Sequence, residues 1–416
     1  MSALKYWIWL STLEKVGLKK KLAALRWFGE PETVYKADKR SLKMVEELSA
    51  DDIIQLQKKD MTGAEEILEQ CNEKHISVIT FQDAAYPPML RYIDDPPLVL
   101  YTLGNLIDFA AELPIAVVGT RKCSAYGALS AKTMGYQIAN CGGLVVSGMA
   151  EGIDAMAQQG ALLAGKPTVA VLGGGVDIIY PKSNRNLYKD LLAKGMIISE
   201  YPPGTAHSKT HFPVRNRIIS GMSYGVVVVE CPKRSGSLIT ARRALDQGRD
   251  VFAVPGNIDN YVSAGSNQLI KDGAPLVTKG WDVISEYAHL RPDRAVYKKD
   301  SLDIRIDSVR PIREPEKAEE SNKNIETTEL QVPVIDKKEI DKEENRAYIQ
   351  RMEGLDPDAQ AVVAAIGDKT RHVDDIIDIT QLKAARVLAT LTLLEINGIV
   401  RQSSGKRYSL AVNEKR

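Results

Sequence analysis

Six short aliphatic runs, Ile115–Val118, Leu144–Ser147, Thr168–Leu172, Met196–Ser199, Val226–Val229 and Val251–Val254, are each followed by turn residues and then a helical pattern. No other feature restricts the fold of this chain as much. A strand that is apolar at every position has both faces buried, and strands alternating with helices pair in parallel beneath helical layers. The middle of the chain is therefore expected to be an α/β domain on a parallel sheet. Ligands of such sheets bind at the carboxyl ends of the strands, so the residues just after each run carry the functional information.

The first run ends in Gly119–Thr120–Arg121, with Ser124 and Tyr126–Gly127 opening the next helix. The second ends in Ser147–Gly148–Met149–Ala150–Glu151–Gly152–Ile153–Asp154, and the third in Gly173–Gly174–Gly175–Val176–Asp177. The fifth is followed by Glu230 and then Arg234–Ser235–Gly236–Ser237. Glycine lets backbone approach closely, and a helix N-terminus presents free N–H groups to an anion. One such turn needs no reason beyond chain reversal. Four on one edge, with Arg121 and Arg234 beside them, point to an anion-binding rim, without saying which anion.

Two nucleotide-binding patterns are missing. The first run lacks a following GxGxxG. Gly160–Ala161–Leu162–Leu163–Ala164–Gly165–Lys166–Pro167 resembles a Walker A loop, but Pro167 replaces the Ser or Thr that would ligate magnesium. Its glycines also end a helix instead of opening one, so Gly165 is expected to be a C-cap and ATPase activity is not supported. Cys71, Cys123, Cys141 and Cys231 form no CxxC pair. His207 and His211 are four apart and would share a helical face, but no third ligand is spaced nearby and Pro213 disturbs the helix. No metal site and no cofactor is expected.

The net charge of +1 does not by itself announce nucleic acid. Locally the balance differs. Between Lys209 and Arg249 the cations Lys209, Arg215, Arg217, Lys233, Arg234, Arg242, Arg243 and Arg249 face only Glu230 and Asp246, and His211 and Phe212 lie among them. A charge run is ordinarily a solvated helix face. Here it adjoins the glycine rim, and cations for phosphates with aromatic faces for bases are what a single strand needs.

Composition divides the chain into a helical module over residues 1–75, the α/β domain over 76–287, a charged flexible linker over 288–347 and a small domain over 348–416. No apolar run is long enough to span a bilayer. Trp7, Trp9 and Leu10 pass straight into charged residues without a cleavage site, so the chain reads as cytoplasmic with no membrane insertion.

The middle region closely resembles the DNA-processing protein A (Smf) family. The carrying segments are Tyr86–Pro87–Pro88–Met89–Leu90 with Asp95–Pro96–Pro97, Val117–Val118–Gly119–Thr120–Arg121 and Ser147 to Asp154. They continue in Phe212–Pro213–Val214–Arg215–Asn216–Arg217–Ile218–Ile219–Ser220–Gly221, Ser235–Gly236–Ser237–Leu238–Ile239–Thr240–Ala241 and Val254–Pro255–Gly256. Their order and spacing cover roughly residues 80–285. The resemblance implies an extended Rossmann-like domain that binds single-stranded DNA and forms homodimers. It also implies protection of incoming DNA in natural transformation and loading of a RecA-type recombinase. Carried onto this chain, it implies DNA contact by Arg121 beside Gly119 and Thr120, and by Lys209, with Phe212 as the stacking aromatic and Arg215 and Asn216 in the same motif. With the rim residues Ser147, Gly148, Arg234, Ser235 and Gly236, these form the expected DNA-binding set.

The flanks fit more loosely. Residues 1–75 resemble a sterile-alpha-motif or helix-hairpin-helix module, with Gly17–Leu18–Lys19–Lys20 where a hairpin turn would meet phosphate; a packing or interaction module is an equal alternative. Residues 348–416 resemble a winged helix: a short helix over Val373–Asp378, a longer one over Leu382–Asn397 carrying Lys383 and Arg386, and a wing hairpin around Ser403–Ser404–Gly405. This last domain is as well suited to protein contact as to DNA.

The competing class is an enzyme. Nucleotide N-ribohydrolases have similar Rossmann-like folds, and Asp154, Asp177, Glu200 and Glu230 would supply acid–base groups. The chain lacks the Pro-Gly-Gly-x-Gly-Thr segment of those enzymes, with Arg234–Ser235–Gly236–Ser237 in its place. A non-catalytic DNA-binding protein is the leading expectation. A third reading is a scaffold dimer whose face would be residues 218–222 and the helix from Ser237.

Overall fold

The computed structural model describes residues 3–297 and, within 357–410, all but 368–369, 381, 383–385, 388–389, 392–393, 396–398 and 404–406. The chain divides into two compact units, Met1–Arg313 and Glu314–Arg416. Most of the linker expected over 288–347 lies outside the described residues, as do Lys383 and the wing-tip pair Ser404–Gly405.

The first unit opens with helices α1 (Leu4–Thr12), α2 (Leu18–Phe28), α3 (Pro31–Lys36), α4 (Lys39–Leu42), α5 (Ala50–Gln57) and α6 (Thr62–Glu73). Strands β1 (Ser77–Thr80) and β2 (Val99–Gly104) follow. The α/β series then runs β3 (Pro114–Val118), α7 (Ala125–Asn140), β4 (Leu144–Ser147), α8 (Ile153–Leu163), β5 (Thr168–Val171), α9 (Arg185–Lys194) and β6 (Met196–Ser199). It continues through α10 (His211–Gly221), β7 (Gly225–Val228), α11 (Gly236–Asp246), β8 (Asp250–Ala253), α12 (Ala264–Lys271) and α13 (Gly280–Tyr287). The strands form one sheet in the order β1-β2-β6-β5-β4-β3-β7-β8. Every neighbour pair from β6 to β8 is parallel, as the aliphatic runs require. The two antiparallel pairs, β1–β2 and β2–β6, were not foreseen.

Period-two alternation explains why these strands read as continuously apolar. Ala116, Val118, Val146, Val169, Val171, Ile198, Val226 and Val228 face one side, against Tyr86, Leu90, Ile218, Ile219, Met222 and the inner face of α11. Ile115, Val117, Val145, Val227 and Phe252 face the other, against α7, α8 and α13. Ala170, Leu172, Ile197, Val99 and Tyr101 extend that second side and meet Trp7, Ile8, Trp9 and Leu10 of α1. The N-terminal helices thus share a core with the sheet. α7 and α8 touch backbone to backbone: a Cβ on Gly135 would lie 2.0 Å from the Ala157 carbonyl oxygen, and one on Gly160 2.0 Å from that of Lys132. α8 ends before Gly165 (φ +69°), a C-cap as expected.

Two expectations for this unit change. Residues 218–222 are not a surface face, because Ile218, Ile219 and Met222 are buried in the core beside β7. At the turn before α2, Lys20 pairs with Asp52, and Lys21 is buried with its ammonium donating to the Ser11 carbonyl at 2.8 Å, which leaves Lys19 as the exposed cation there.

In the second unit, α14 (Pro357–Ile366) precedes β9 (Arg371–His372) and α15 (Val373–Thr380). β10 (Val400–Ser403) and β11 (Arg407–Leu410) form an antiparallel hairpin with β9 on the far side of β11. This is the strand and helix order of a winged helix. Positions 386–387, 390–391 and 394–395 are helical, where the longer helix was expected. Arg386, one of the two cations expected on that helix, pairs with Asp358 at 2.5 Å.

Burial pushes the Lys21 ammonium down from its ordinary value of 10.5 to about 8. Between those pH values the unfolded chain holds this proton and the native one has released it, so stability rises with pH across the window. Burial pushes the Cys71 and Cys231 thiols up to about 11 and about 12, which acts in the opposite direction in both proteins. Urea unfolding from pH 7 to 10.5 is therefore expected to show a more positive slope of stability with pH in the wild type than in Lys21→Met; the same slope in both would count against it.

Candidate nucleic-acid interface

The chain builds outward from β3 through β4 and β5 to β6, then returns to lay β7 on the opposite side of β3. The carboxyl ends of β3 and β7 therefore diverge into the crevice where such sheets place ligands. Ser124 caps α7, accepting the Gly127 N–H at 3.0 Å, and Ser235 caps α11, accepting the Ser237 N–H at 3.3 Å. Both helices thus start at this crevice.

Glu230, at the end of β7, is buried. Its carboxylate accepts the Ser124 N–H and hydroxyl, each at 2.8 Å, and the Ser263 hydroxyl at 3.3 Å. A Cβ on Gly127 would stand 2.2 Å from its Oε2. The other acidic candidates are engaged as well. Asp154 is buried and accepts the Gly148 N–H at 3.1 Å; burial raises its carboxyl above the usual range, while the nearby Arg215 charge opposes that. Asp177 pairs with Lys74 at 2.6 Å and accepts the Gly204 N–H, and Glu200 pairs with Arg217 at 2.6 Å. None of the four is held as a free acid–base group in the crevice.

The third glycine turn is not an open rim. Gly173, Gly174 and Gly175 are buried under the segment from Tyr201 to Phe212. A Cβ on Gly173 would meet the Phe212 ring at 3.1 Å, and one on Gly174 the His207 ring at 2.9 Å. Gly173 and Gly174 thus admit aromatic rings at close range, and Gly175 the Asp177 carboxylate and the Pro202 carbonyl. His211 lies 3.1 Å from the Gly173 carbonyl and His207 3.0 Å from that of Ile178, through one ring nitrogen each. The two do not share a helix face as expected, because α10 begins at His211. Among the described residues no group of three or more His, Cys, Asp or Glu is arranged to hold a metal ion.

The result is an aromatic layer that sequence patterns did not reveal. Tyr180 stacks on His207 (ring centroids 4.9 Å apart) and on Phe212 (5.6 Å), and Tyr201 stacks on His211 (4.1 Å). Burial lowers the His207 pKa, which favours the neutral ring. Arg121 is exposed, and its guanidinium lies 4.6 Å from the Phe212 ring centroid, within cation–π reach. Tyr180 is 40% exposed at the end of this layer.

Ten of the twelve expected DNA-binding residues line one open groove: Gly119, Thr120, Arg121, Lys209, Phe212, Arg215, Asn216, Arg234, Ser235 and Gly236. Arg121, Phe212 and Arg215 also wall a small pocket, with room for little more than a water molecule, which reaches Gly148, Gly173 and Tyr180. Lys209, Arg234 and Gly236 are exposed at the groove rim. The remaining residue, Ser147, is buried with its hydroxyl donating to the Val117 carbonyl at 2.6 Å, so its side chain faces the sheet.

The basic stretch divides by burial. Arg215 is only 4% exposed and donates to the carbonyls of Gly148 and Val171; burial lowers its pKa to about 10, so it stays charged at neutral pH beneath the groove floor. Arg217 is buried between Asp95 and Glu200 at 3.0 and 2.6 Å, and Arg249 donates to the carbonyls of Met89 and Gly221. Those last two do not belong to the basic surface, which keeps Lys209, Lys233 and Arg234 at the rim.

Fold and groove together define a class: a Rossmann-like α/β protein with a basic, aromatic-lined groove at its strand ends and a separate winged-helix unit. Residues 77–288 match the family described as DNA recombination-mediator protein A, and residues 350–406 match the DprA winged helix domain. The chain is 46% identical over 205 residues to the DNA processing protein DprA of Streptococcus pneumoniae, covering 49% of this chain and 72% of that protein. It is 33% identical to Protein Smf of Synechocystis sp., covering 97% of this chain and 98% of the other. The X-ray structure of S. pneumoniae DprA superposes with a TM-score of 0.61 at 35% identity, over 69% of this chain and 99% of that one. The chain belongs to the DprA/Smf family.

Removing Arg217 would leave the Glu200 carboxylate unpaired at the base of the segment that carries the aromatic layer. Arg217→Met is expected to cost about 3 kcal/mol of unfolding free energy in urea, whereas a loss below about 1 kcal/mol would show that the pair is solvent-screened.

Proposed function

We propose that this protein is a non-catalytic, cytoplasmic single-stranded-DNA-binding protein that protects incoming DNA and loads a RecA-type recombinase in natural transformation or homologous recombination, acting as a homodimer. The observation that carries the reading is the Arg121 guanidinium lying over Phe212 in a groove edged by Lys209 and Arg234. An exposed guanidinium offers its plane to a base and its N–H edge to a phosphate. Phe212 is the stacking aromatic of this pair, with the Arg121 guanidinium within cation–π reach of its ring. The capped start of α11 adds backbone N–H groups and a helix dipole of the right sign for phosphate. Such interactions follow the backbone and carry little sequence information.

The engaged carboxylates support binding over nucleotide hydrolysis: Glu230 and Asp154 accept backbone N–H groups, and Glu200 is ion-paired. Membership of a family described as a recombination mediator supports the recombinase partner. Among the described residues no helix is long and apolar enough to cross a membrane.

Oligo-dT and a duplex of equal length, titrated across a salt series, test the reading. The single strand is expected to bind more tightly. Arg121→Ala/Lys209→Ala is expected to weaken that binding and to flatten the log–log salt slope by about 0.7 for each phosphate that is no longer neutralised. Unchanged binding in that variant, or release of free base from a nucleoside monophosphate, would contradict it.

A further inference from the structure

Past the groove, on the β7–β8 side of the switch, two tyrosines project from the same edge of the sheet. Tyr126, in the first turn of α7, is 48% exposed although its hydroxyl donates to the Pro255 carbonyl at 2.6 Å. Tyr261, in the turn leading into α12, is 71% exposed. Neither ring serves the core, and the tether on Tyr126 holds its ring in place without covering it.

The segments bearing these rings are fixed to one another through Glu230. Its carboxylate binds Ser124, two residues before Tyr126, and Ser263, two residues after Tyr261. A second tie runs from the Gly265 N–H to the Cys231 carbonyl at 2.7 Å, and sets the start of α12 against the turn that carries Lys233 and Arg234. Exposed charges on this stretch are Lys122, Lys233 and Arg234, with Asp259 the one acidic residue of the loop between β8 and α12. Arg234 lines the groove and lies in the turn that α12 abuts, so the two surfaces are continuous.

We propose that Tyr126 and Tyr261 form a second stacking platform for single-stranded DNA, over which a strand leaving the groove past Arg234 continues. This rests on the reading of the groove given above. Rings held on a rigid edge, with exposed cations on the neighbouring turns, fit a single strand, because any base offers a π-face and each phosphate takes a charge. Glu230, which resembles a catalytic carboxylate in the sequence, is the pin that spaces the platform.

The test compares oligo-dT of about 4 and about 16 nucleotides on wild type, Tyr126→Ala/Tyr261→Ala and Tyr126→Phe/Tyr261→Phe. The alanine variant is expected to bind the longer strand about tenfold more weakly and the shorter one normally, and the phenylalanine variant, which keeps both rings and gives up only the Tyr126 tether, to lose much less. Thermal melting should fall by no more than the loss of the Tyr126 hydroxyl's hydrogen bond to the Pro255 carbonyl, since both rings are on the surface. Wild-type affinity of the alanine variant for the longer strand overturns the platform, as does equal weakening in both variants or weakening at both lengths. Arg121→Ala/Lys209→Ala run in parallel separates the two ideas: if it weakens binding while the tyrosine changes do not, the platform alone fails, and if it too has no effect, the groove reading fails.

Discussion

The buried carboxylate of Glu230 holds the switch point of this sheet together. Where β3 and β7 part, the chain must bring several helix starts to one place without leaving their backbone donors unsatisfied. Glu230 takes the N–H and hydroxyl of Ser124 and the hydroxyl of Ser263. Its own chain closes the same crevice, with the Thr120 N–H donating to the Glu230 carbonyl at 2.7 Å. A hydrogen-bonded carboxylate in a low-dielectric setting is rigid because leaving any of its hydrogen bonds unmade is costly. The groove can stay open because its floor is fixed from below.

The second device is the interleaving of loops by glycine. Gly119 lies where a Cβ would collide with Ile153, Gly148 where one would meet the Arg215 guanidinium, and Gly152 (φ +77°) where one would meet the Thr120 carbonyl. Glycine is required at these places because the loops after β3 and β4 cross closely and the Arg215 side chain of α10 packs against the second of them. Arg215 fills the centre of the crossing, charged but buried, with two carbonyls as acceptors. Its charge reaches the groove through the floor, while Arg121, Lys209 and Arg234 present theirs at the surface.

Much of this was legible in the sequence. Uninterrupted aliphatic runs gave the parallel strands because burial on both faces leaves no polar positions to break them, and the groove gathers ten residues that lie up to 117 positions apart in the chain (119 to 236). What stayed hidden depended on tertiary partners. Charge counting placed Arg217 and Arg249 on the surface, but nothing local announces that Asp95 and Glu200, or the carbonyls of Met89 and Gly221, will enclose them. Gly173–Gly175 has the composition of a phosphate turn and is instead the seat of Phe212 and His207. Tyr180 carries no pattern at all and finds its ring partners about 30 residues downstream, at His207 and Phe212. The antiparallel strand β2 lies just after the Asp95–Pro96–Pro97 turn and before the α/β repeat begins, where no alternation with helices marks it.

The central claim is that a single strand lies along the carboxyl edge of this sheet. Amide hydrogen exchange of the full chain, with and without saturating oligo-dT, addresses it segment by segment. The account predicts slowed exchange at residues 119–127, 148–152, 209–216 and 232–238, with little change at the opposite edge around 110–114, 142–144 and 223–225. Protection confined to that opposite edge, or to residues 357–410 with the groove segments unchanged, would contradict it.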